Sequence, residues 1–319
     1  MSSRRAVGPA QAVTVRAPAK INVYLSVGTP RADGFHPLAT VYQAIGLYDD
    51  VTARPGGSGT VPVRVKLAAA DHVDADAVPL APGTNLVHRA AELLGAHHGR
   101  RLRSDISISK AIPVAGGLAG GSADAAAALV ALDRLHDLQT TDEALLAIAA
   151  ELGSDVPFSL VGGTAQGVGR GEQVTAYVDP AIVEAAWWWV VVPSATGLAT
   201  PQVYAHFDRM RPDAHEAPVV PDRVLAALAS QDPTSLAAVL HNDLQAVALD
   251  LRPDLVDVLA DGEEAGALRG IVSGSGPTCV FLCEDADHAR EVAGRLQEQH
   301  PVVLVATGPV AGAHRVEYV

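Results

Sequence analysis

Between Pro113 and Asp124 the chain runs PVAGGLAGGSAD, and an alanine-rich helix former, AAAALVAL, follows at once. The side chains of Ala115, Gly116, Gly117, Ala119, Gly120, Gly121 and Ser122 are small or absent. Together with Pro113, Val114 and Leu118 they form a loop whose backbone a ligand can approach closely, and the helix behind points its positive end at the same place. The chemistry this suggests is phosphate binding; the plain alternative is a turn ahead of a helix, in a chain that holds 29 glycines. Two better-known phosphate cradles are absent. Gly116 and Gly121 have P-loop spacing, but Ser122-Ala123 stands where Lys-Ser/Thr would, and no GxGxxG occurs. Another residue must therefore bring positive charge.

The elements around the loop have the order such a site needs. SDISIS at 104–109 alternates as a half-buried strand does, and 122–138 reads as one helix. Upstream, a strand at 13–15 leads into APAKINVYLSVG, followed by the polar turn RADGFH and a second apolar stretch at 38–47. Residues 54–83, rich in Gly, Pro and Asp, read as disorder or a hairpin around the strand VPVRVKL. Asn85 opens a helical run to Leu94, and Thr141-Asp142 cap a helix that Gly153 closes. GSDVPFSLVGGTAQGVGRGE reads as two turns around a short apolar core. From Trp187 a strand, helices at 223–229 and 234–248, the loop SGSGPT and a strand-helix-strand ending are expected. At 319 residues the chain exceeds one ordinary core, so two domains are expected, 1–180 and 181–319, divided at Asp179-Pro180.

Composition narrows the function classes. With 49% hydrophobic and 18% charged residues the chain is a folded globule. Its 23 basic and 36 acidic residues give a formal charge of −13, which disfavours nucleic acid or an anionic membrane as partner. Cys279 and Cys283 share one apolar stretch, TCVFLC, without a second pair to build a zinc site, and read as core thiols. The twelve histidines are scattered, and adjacent His97-His98 lack the helical spacing of metal ligands. The longest aliphatic-aromatic run, AAWWWVVV at 185–192, is too short to span a bilayer, and Arg4-Arg5 precede no apolar segment. A soluble, cytoplasmic protein is expected.

Four separated segments share one further property. APAKINVYL at 17–25, the glycine loop, GSDVPF at 153–158 and SGSGPT at 273–278 occur in the order seen in the galactokinase, homoserine kinase, mevalonate kinase and phosphomevalonate kinase superfamily, which the chain resembles over essentially its whole length. PAKIN followed by RADGFH is similar to one branch, the kinases that phosphorylate the 2-hydroxyl of a cytidine diphosphate-linked methylerythritol in isoprenoid precursor synthesis. The resemblance implies an α+β, two-domain fold: an N-terminal domain like ribosomal protein S5 domain 2, a ferredoxin-like C-terminal domain, and a site in the cleft between them. It also implies ATP as phosphoryl donor and a small-molecule substrate; the chemistry of the transfer calls for Mg²⁺, and a monomer or weak homodimer is expected.

Phosphoryl transfer to an alcohol needs neutralised phosphate charge, an aligned hydroxyl oxygen and a destination for its proton. The resemblance makes Asp155 the catalytic base; on the residues alone, an N-cap for the segment opening at Pro157 is the competing role. Lys20, set beside Ile21 in an apolar strand where a solvated lysine fits poorly, is implied as the cation that orients Asp155 and stabilises the transferred group. Phe35 and Tyr204 match positions that sandwich a cytosine ring, and His36 the position that reads its edge; a turn histidine before Pro37 is the alternative. Asn22, Asn85 and Thr200 are carried over as polar contacts of the pocket, although Asn85 also suits a helix cap. Gly274, Ser275 and Gly276 would bring backbone N–H groups of the second domain toward the phosphates; otherwise their loop is a hairpin connection. Ser122 is the hydroxyl placed to meet phosphate or Mg²⁺, and no dedicated acidic metal ligand is evident. Ala115 and Ala119 stand where many relatives have glycine, which questions a positive φ there, and Phe35 replaces the commoner tyrosine. A kinase for another small alcohol, or a non-catalytic ligand-binding regulator on the same fold, are the competing functions.

Overall fold

A computed structural model describes residues 12–56, 63–114 and 116–317; Ala115 of the glycine loop lies outside the described residues. The chain opens with β1 (Val13–Val27), half-buried in alternation at its start and buried without interruption from Ala17 to Leu25. Both faces are covered there. Ala19, Ile21 and Val23 pack into the main core, while Leu25 and Val27 join a second cluster with Val203, Phe207 and Val247.

β2 (Leu38–Pro55) runs antiparallel to β1 from Leu38 opposite Val27 to Ala53 opposite Val13. It extends beyond the expected 38–47 because its second half gains another partner, β4. β3 (Val63–Ala69) corrects the reading of 54–83 as disorder or a hairpin: it pairs in parallel with β4 (Ser104–Lys110), and a parallel pair needs a crossover. That crossover contains α1 (Leu86–His97). α2 (Gly120–Leu135), nearly all small residues on its buried side, lies on β1 and β2, and α3 (Asp142–Leu152) has the expected Thr141 cap and Gly153 end. The segment after Gly153, read as two turns, forms α4 (Val156–Val161), β5 (Thr164–Val168) and β6 (Gln173–Ala176), with β5 paired to β2.

Past α5 (Pro180–Val183), whose cap is Asp179, a second sheet begins with β7 (Trp187–Val192). α6 (Thr200–Met210), which the sequence reading passed over, precedes α7 (Asp222–Ser230). The single helix expected at 234–248 is broken into α8 (Pro233–Ala237), the two-residue strand β8 (His241–Asn242) and α9 (Gln245–Leu251). The break occurs because β8 pairs with β1, Tyr24 opposite His241 and Leu25 opposite Asn242. α10 (Asp254–Glu264), β9 (Arg269–Val272), β10 (Cys279–Cys283), α11 (Ala286–Leu296), β11 (Leu304–Gly308) and β12 (His314–Val316) complete the chain.

The second sheet has the order β11-β7-β10-β9, antiparallel throughout. With helices between β7 and β9 and between β10 and β11, this is the βαββαβ ferredoxin-like arrangement. The chain crosses between the sheets more than once: β8 and β12, both beyond residue 180, add to β1 of the first. Trp189 of β7 also donates its indole N–H to Gln43 Oε1 of β2 at 2.8 Å. Burial of Trp189, whose indole N–H is paired, stabilises this junction by about 2–3 kcal/mol, whereas the buried Trp187 indole N–H has no partner among the described residues, which offsets part of its gain. Cys279 and Cys283 are buried in β10, and desolvation pushes both thiols up to about 12, which fits core thiols. No helix among the described residues is long and apolar enough to cross a membrane.

Candidate active site

A cleft of about 880 Å³ opens where the glycine loop, the start of α6 and the β9–β10 connection meet. The small residues of the loop divide into two jobs. A Cβ on Gly116 would lie 2.4 Å from Thr278 Oγ1, and one on Gly117, at φ +77°, 2.2 Å from the Ser273 carbonyl. These two glycines let the SGSGPT loop close onto the first domain, and hydrogen bonds seal the contact: Thr278 N–H donates to Gly116 C=O at 3.2 Å and Ser273 Oγ to Gly117 C=O at 3.2 Å. A Cβ on Gly121 meets nothing within 4 Å. Gly121 leaves open space in the first turn of α2, where unpaired backbone N–H groups face the cleft. Ala119 takes the left-handed conformation, φ 58°, so the alanine substitution did not remove the positive φ.

The SGSGPT loop is both a hairpin connection, with Cys279 opposite Val272, and a lining of the cleft through Gly274, Ser275 and Gly276. Asn242 of β8 holds it: its amide donates to the carbonyls of Val272 and Gly274 at 2.8 and 2.7 Å. Sequence reading missed Asn242 because it had placed that residue inside a helix.

Lys20 and Asn22 share one face of β1, between two irregularities in the β1–β2 register, at Pro18/Ala19 and Asn22/Tyr24. Such bulges re-aim side chains, and here they bracket the pair that faces the cleft. Lys20 Nζ donates to Asn22 Oδ1 at 2.7 Å, Asn22 Nδ2 to Thr40 Oγ1 at 2.8 Å, and Thr40 Oγ1 to the Tyr24 carbonyl at 2.7 Å. That chain fixes the Asn22 amide and leaves the other Lys20 protons for a ligand. Burial pushes the Lys20 ammonium below the usual lysine range, and the negative charge of Asp155 works against that shift.

Asp155 occupies the N-cap position of α4 but makes no capping bond through its side chain. The capping role that competed with catalysis is not adopted, and the carboxylate faces the cleft. Lys20 and Asp155 form no direct ion pair among the described residues, so the expected contact is replaced by interaction across the cleft. Burial, and then the charge of Asp155, also raise the phenols of Tyr42 and Tyr204 well above the ordinary tyrosine range.

Beneath the glycine loop, Lys110 binds the carboxylates of Asp49 and Asp124, the latter at 2.8 Å. Asp49 Oδ1 also accepts the N–H groups of Ala111 and Ile112 at 2.7 and 2.9 Å, tying the loop's entry to β2. Lys110 lies close under Gly120, but its charge is spent on the two aspartates. Among the described residues, Lys20 and Arg170 are the cations that line the cleft.

Phe35, His36 and Tyr204 come together in the same cleft. Phe35 is 49% exposed, with the Arg170 guanidinium 4.9 Å from its ring centre. His36 is buried against Tyr204, ring centres 4.9 Å apart, and its Nε2 lies 2.7 Å from Asp208 Oδ1. Thr200 and Ser275 bond hydroxyl to hydroxyl at 2.9 Å, and Ser122 lines the wall below. Pro113, Val114 and Leu118 do not line the cleft; Leu118 is buried and accepts the Lys20 N–H at 3.1 Å. Asn85 does not line the cleft: its Oδ1 caps α1 at Val87 N–H and its Nδ2 donates to the Pro79 carbonyl. Sequence reading also missed Arg170, in a turn given no chemistry, and Asp208, in a helix it did not place.

The family model for the GHMP kinases N terminal domain matches residues 85–163, and that for the GHMP kinases C terminal matches 224–302. A Nocardioides protein named 4-diphosphocytidyl-2-C-methyl-D-erythritol kinase is 63% identical over 305 residues, covering 95% of this chain and all of that protein. Its Mycolicibacterium smegmatis counterpart is 49% identical, over 95% of this chain and 92% of its own length. Among solved structures, a 4-(cytidine 5'-diphospho)-2C-methyl-D-erythritol kinase superposes with a TM-score of 0.74 at 31% identity, covering 92% of this chain and 98% of the other. A homoserine kinase from Cytophaga hutchinsonii, at 17% identity and TM-score 0.71 over 99% and 100% of the two chains, shares the fold alone. With both domain families matched and such identity over nearly its full length, the chain belongs to the 4-diphosphocytidyl-2-C-methyl-D-erythritol kinase family of the GHMP kinases.

Proposed function

We propose that the chain transfers the γ-phosphoryl group of ATP to the 2-hydroxyl of 4-diphosphocytidyl-2-C-methyl-D-erythritol, giving the 2-phosphate and ADP. The observation that carries the reading at residue level is that Lys20, an uncapped Asp155 and the open start of α2 share one cleft with Phe35, His36 and Tyr204. The substrate oxygen forms a bond to the γ-phosphorus as the bond to the β-phosphate bridging oxygen breaks, and the hydroxyl proton passes to Asp155. Lys20 and the backbone N–H groups at Gly120, Gly121 and Ser122 stabilise charge on the transferred group. Because Asp155 faces a cation, it aligns the hydroxyl and accepts its proton late, so positioning contributes more than basicity.

Magnesium fits the donor set: the Ser122 hydroxyl and the Asp155 carboxylate are hard oxygen donors on the same cleft. No group of three or more His, Cys, Asp or Glu able to hold a metal occurs among the described residues, so the ion would be held by those two oxygens together with ligand phosphates. When bound, it supplies neutralising charge to the phosphates. The reading includes ATP drawn from the cytoplasm, a chain divided near residue 180, and a monomer or weak homodimer.

The test is ADP release with Mg-ATP and the cytidyl substrate, beside homoserine and mevalonate. Turnover of the cytidyl substrate alone is expected; ATP binding without turnover of any acceptor would overturn the reading.

A further inference from the structure

We infer that Asp208 is a positioning residue that makes the cleft selective for a pyrimidine bearing a 4-amino group, by fixing the tautomer of His36. The inference rests on the proposed use of a cytidine diphosphate-linked substrate and concerns how its base is told from uracil.

α6 grips one imidazole with three residues of one face. Tyr204, Phe207 and Asp208 stand at i, i+3 and i+4, the spacing that aligns helical side chains. The His36 ring centre lies 4.9 Å from that of Tyr204, tilted by 42°, and 6.1 Å from that of Phe207, edge-on at 83°. With its side chain only 7% exposed, the ring has little freedom to turn. Its Nε2 lies 2.7 Å from Asp208 Oδ1. Asp208 is 39% exposed, and an ionised carboxylate can only accept. The proton therefore sits on Nε2. In the neutral imidazole Nδ1 is then a bare acceptor, and it carries no hydrogen bond among the described residues.

An acceptor at that place distinguishes two bases that stacking cannot. The flat faces of Phe35 and Tyr204 suit either pyrimidine. Cytosine presents an exocyclic amine, a donor that satisfies Nδ1; uracil presents a carbonyl oxygen at the same position, lone pair against lone pair. Lys20, Asp155 and the glycine loop act on phosphates and hydroxyl and are indifferent to this choice. Asp208 touches neither base nor phosphate in this account and acts through the ring it holds.

The experiment compares cytidine- and uridine-diphosphate-linked methylerythritol as acceptors. The unaltered protein, Asp208→Ala, Asp208→Asn and Asp208→Glu are assayed by ADP release. Asp208→Ala is expected to raise KM for the cytidine substrate and to lower the cytidine-to-uridine ratio of kcat/KM by about tenfold or more, the size of one hydrogen bond. The change falls on KM for the acceptor rather than on kcat or KM for ATP. Asp208→Asn, whose Nδ2 can donate to a bare Nε2, is expected to reverse the tautomer and gain most with the uridine substrate; Asp208→Glu restores part of the ratio. A ¹⁵N measurement of the His36 ring reports the tautomer without turnover: Nε2–H in the unaltered protein, a mixture in Asp208→Ala. An unchanged ratio in both Asp208→Ala and Asp208→Asn, or an unchanged ring tautomer, would overturn the inference. Equal use of both acceptors by the unaltered protein would overturn it while leaving the kinase reading intact, and turnover of neither would overturn both.

Discussion

Gly121→Ala separates what the glycine loop does for the fold from what it does for ATP. A Cβ at Gly121 meets nothing within 4 Å, and the residue is the second of α2 with helical backbone. Alanine is the better helix former by about 0.8–1 kcal/mol in a helix interior, and somewhat less in a first turn. The ligand-free protein should therefore gain about 0.5 kcal/mol, a rise of one or two degrees in melting temperature for a chain of this length. The same methyl group projects into the cleft where phosphate oxygens would approach the helix N-terminus. Losing one charge-assisted hydrogen bond from backbone N–H to phosphate costs about 1.5–3 kcal/mol, so KM for ATP should rise roughly ten- to hundredfold.

Stability and nucleotide affinity thus move in opposite directions, which general damage to the fold cannot mimic. Gly117→Ala is the contrasting variant. At φ +77° an L-residue costs about 1–2 kcal/mol, and its Cβ would press 2.2 Å from the Ser273 carbonyl, so stability and activity should fall together. The measurements are thermal melting without ligand and ATP-dependent ADP release for each variant. If Gly121→Ala melts at or above the parent temperature and its KM for ATP stays within about twofold, phosphates do not lie against this turn and the cradle is misassigned.

Asp155→Ala should lower kcat by about 10²–10⁴-fold with little change in melting temperature, because no capping bond is lost; a large drop in melting temperature would show a structural role instead. Since Lys20 must stay charged and burial lowers its pKa, kcat/KM should fall with rising pH before the ordinary lysine range is reached. Asp155→Asn removes the charge that opposes this lowering, so the residual activity should fall at still lower pH; a limb that moves upward or not at all refutes the coupling. Lys110→Met should destabilise the fold by about 3–5 kcal/mol in denaturant titration, because it strands Asp49 and Asp124 in the interior. Ala119→Gly should stabilise by up to about 1 kcal/mol, relief of the left-handed alanine exceeding the added freedom of the unfolded chain; destabilisation in the same titration would contradict the φ of 58°.

What sequence could reveal followed range of interaction. Local signals held: Thr141 and Gly153 bound α3, and the strand-loop-helix order around Gly116–Ser122 needs only neighbours. The break of 234–248 did not, because His241 and Asn242 leave helical geometry to pair with β1 more than 200 residues away, a tertiary preference that propensity does not carry. The hidden site residues share that cause. Asn242 works by holding carbonyls of a loop some 30 residues on, and Asp208 by meeting a histidine 172 residues earlier. Asn85 shows the reverse. Its cap signal was readable at once, and the cap is where its side chain is used.

The two loops and the broken helix together explain why the cleft is assembled rather than merely enclosed. β8 can lie beside β1 only if the helix stops at Ala237, and only then does Asn242 reach the carbonyls of Val272 and Gly274. That anchor sets Gly274 where a Cβ would lie 3.1 Å from Asn22 Oδ1 and 3.2 Å from Lys20 Nζ. The second domain thereby comes against the buried ammonium, and burial lowers the Lys20 pKa. Placing the strand, the amide and the glycine in one chain of contacts makes the charge state of Lys20 depend on how closely the domains meet. Asn242→Ala should loosen the SGSGPT loop, rehydrate Lys20 and return its titration toward the ordinary lysine range. The alkaline fall in kcat/KM should then move to higher pH while kcat itself declines, and a limb that stays in place would show that Lys20 is buried by its own strand alone.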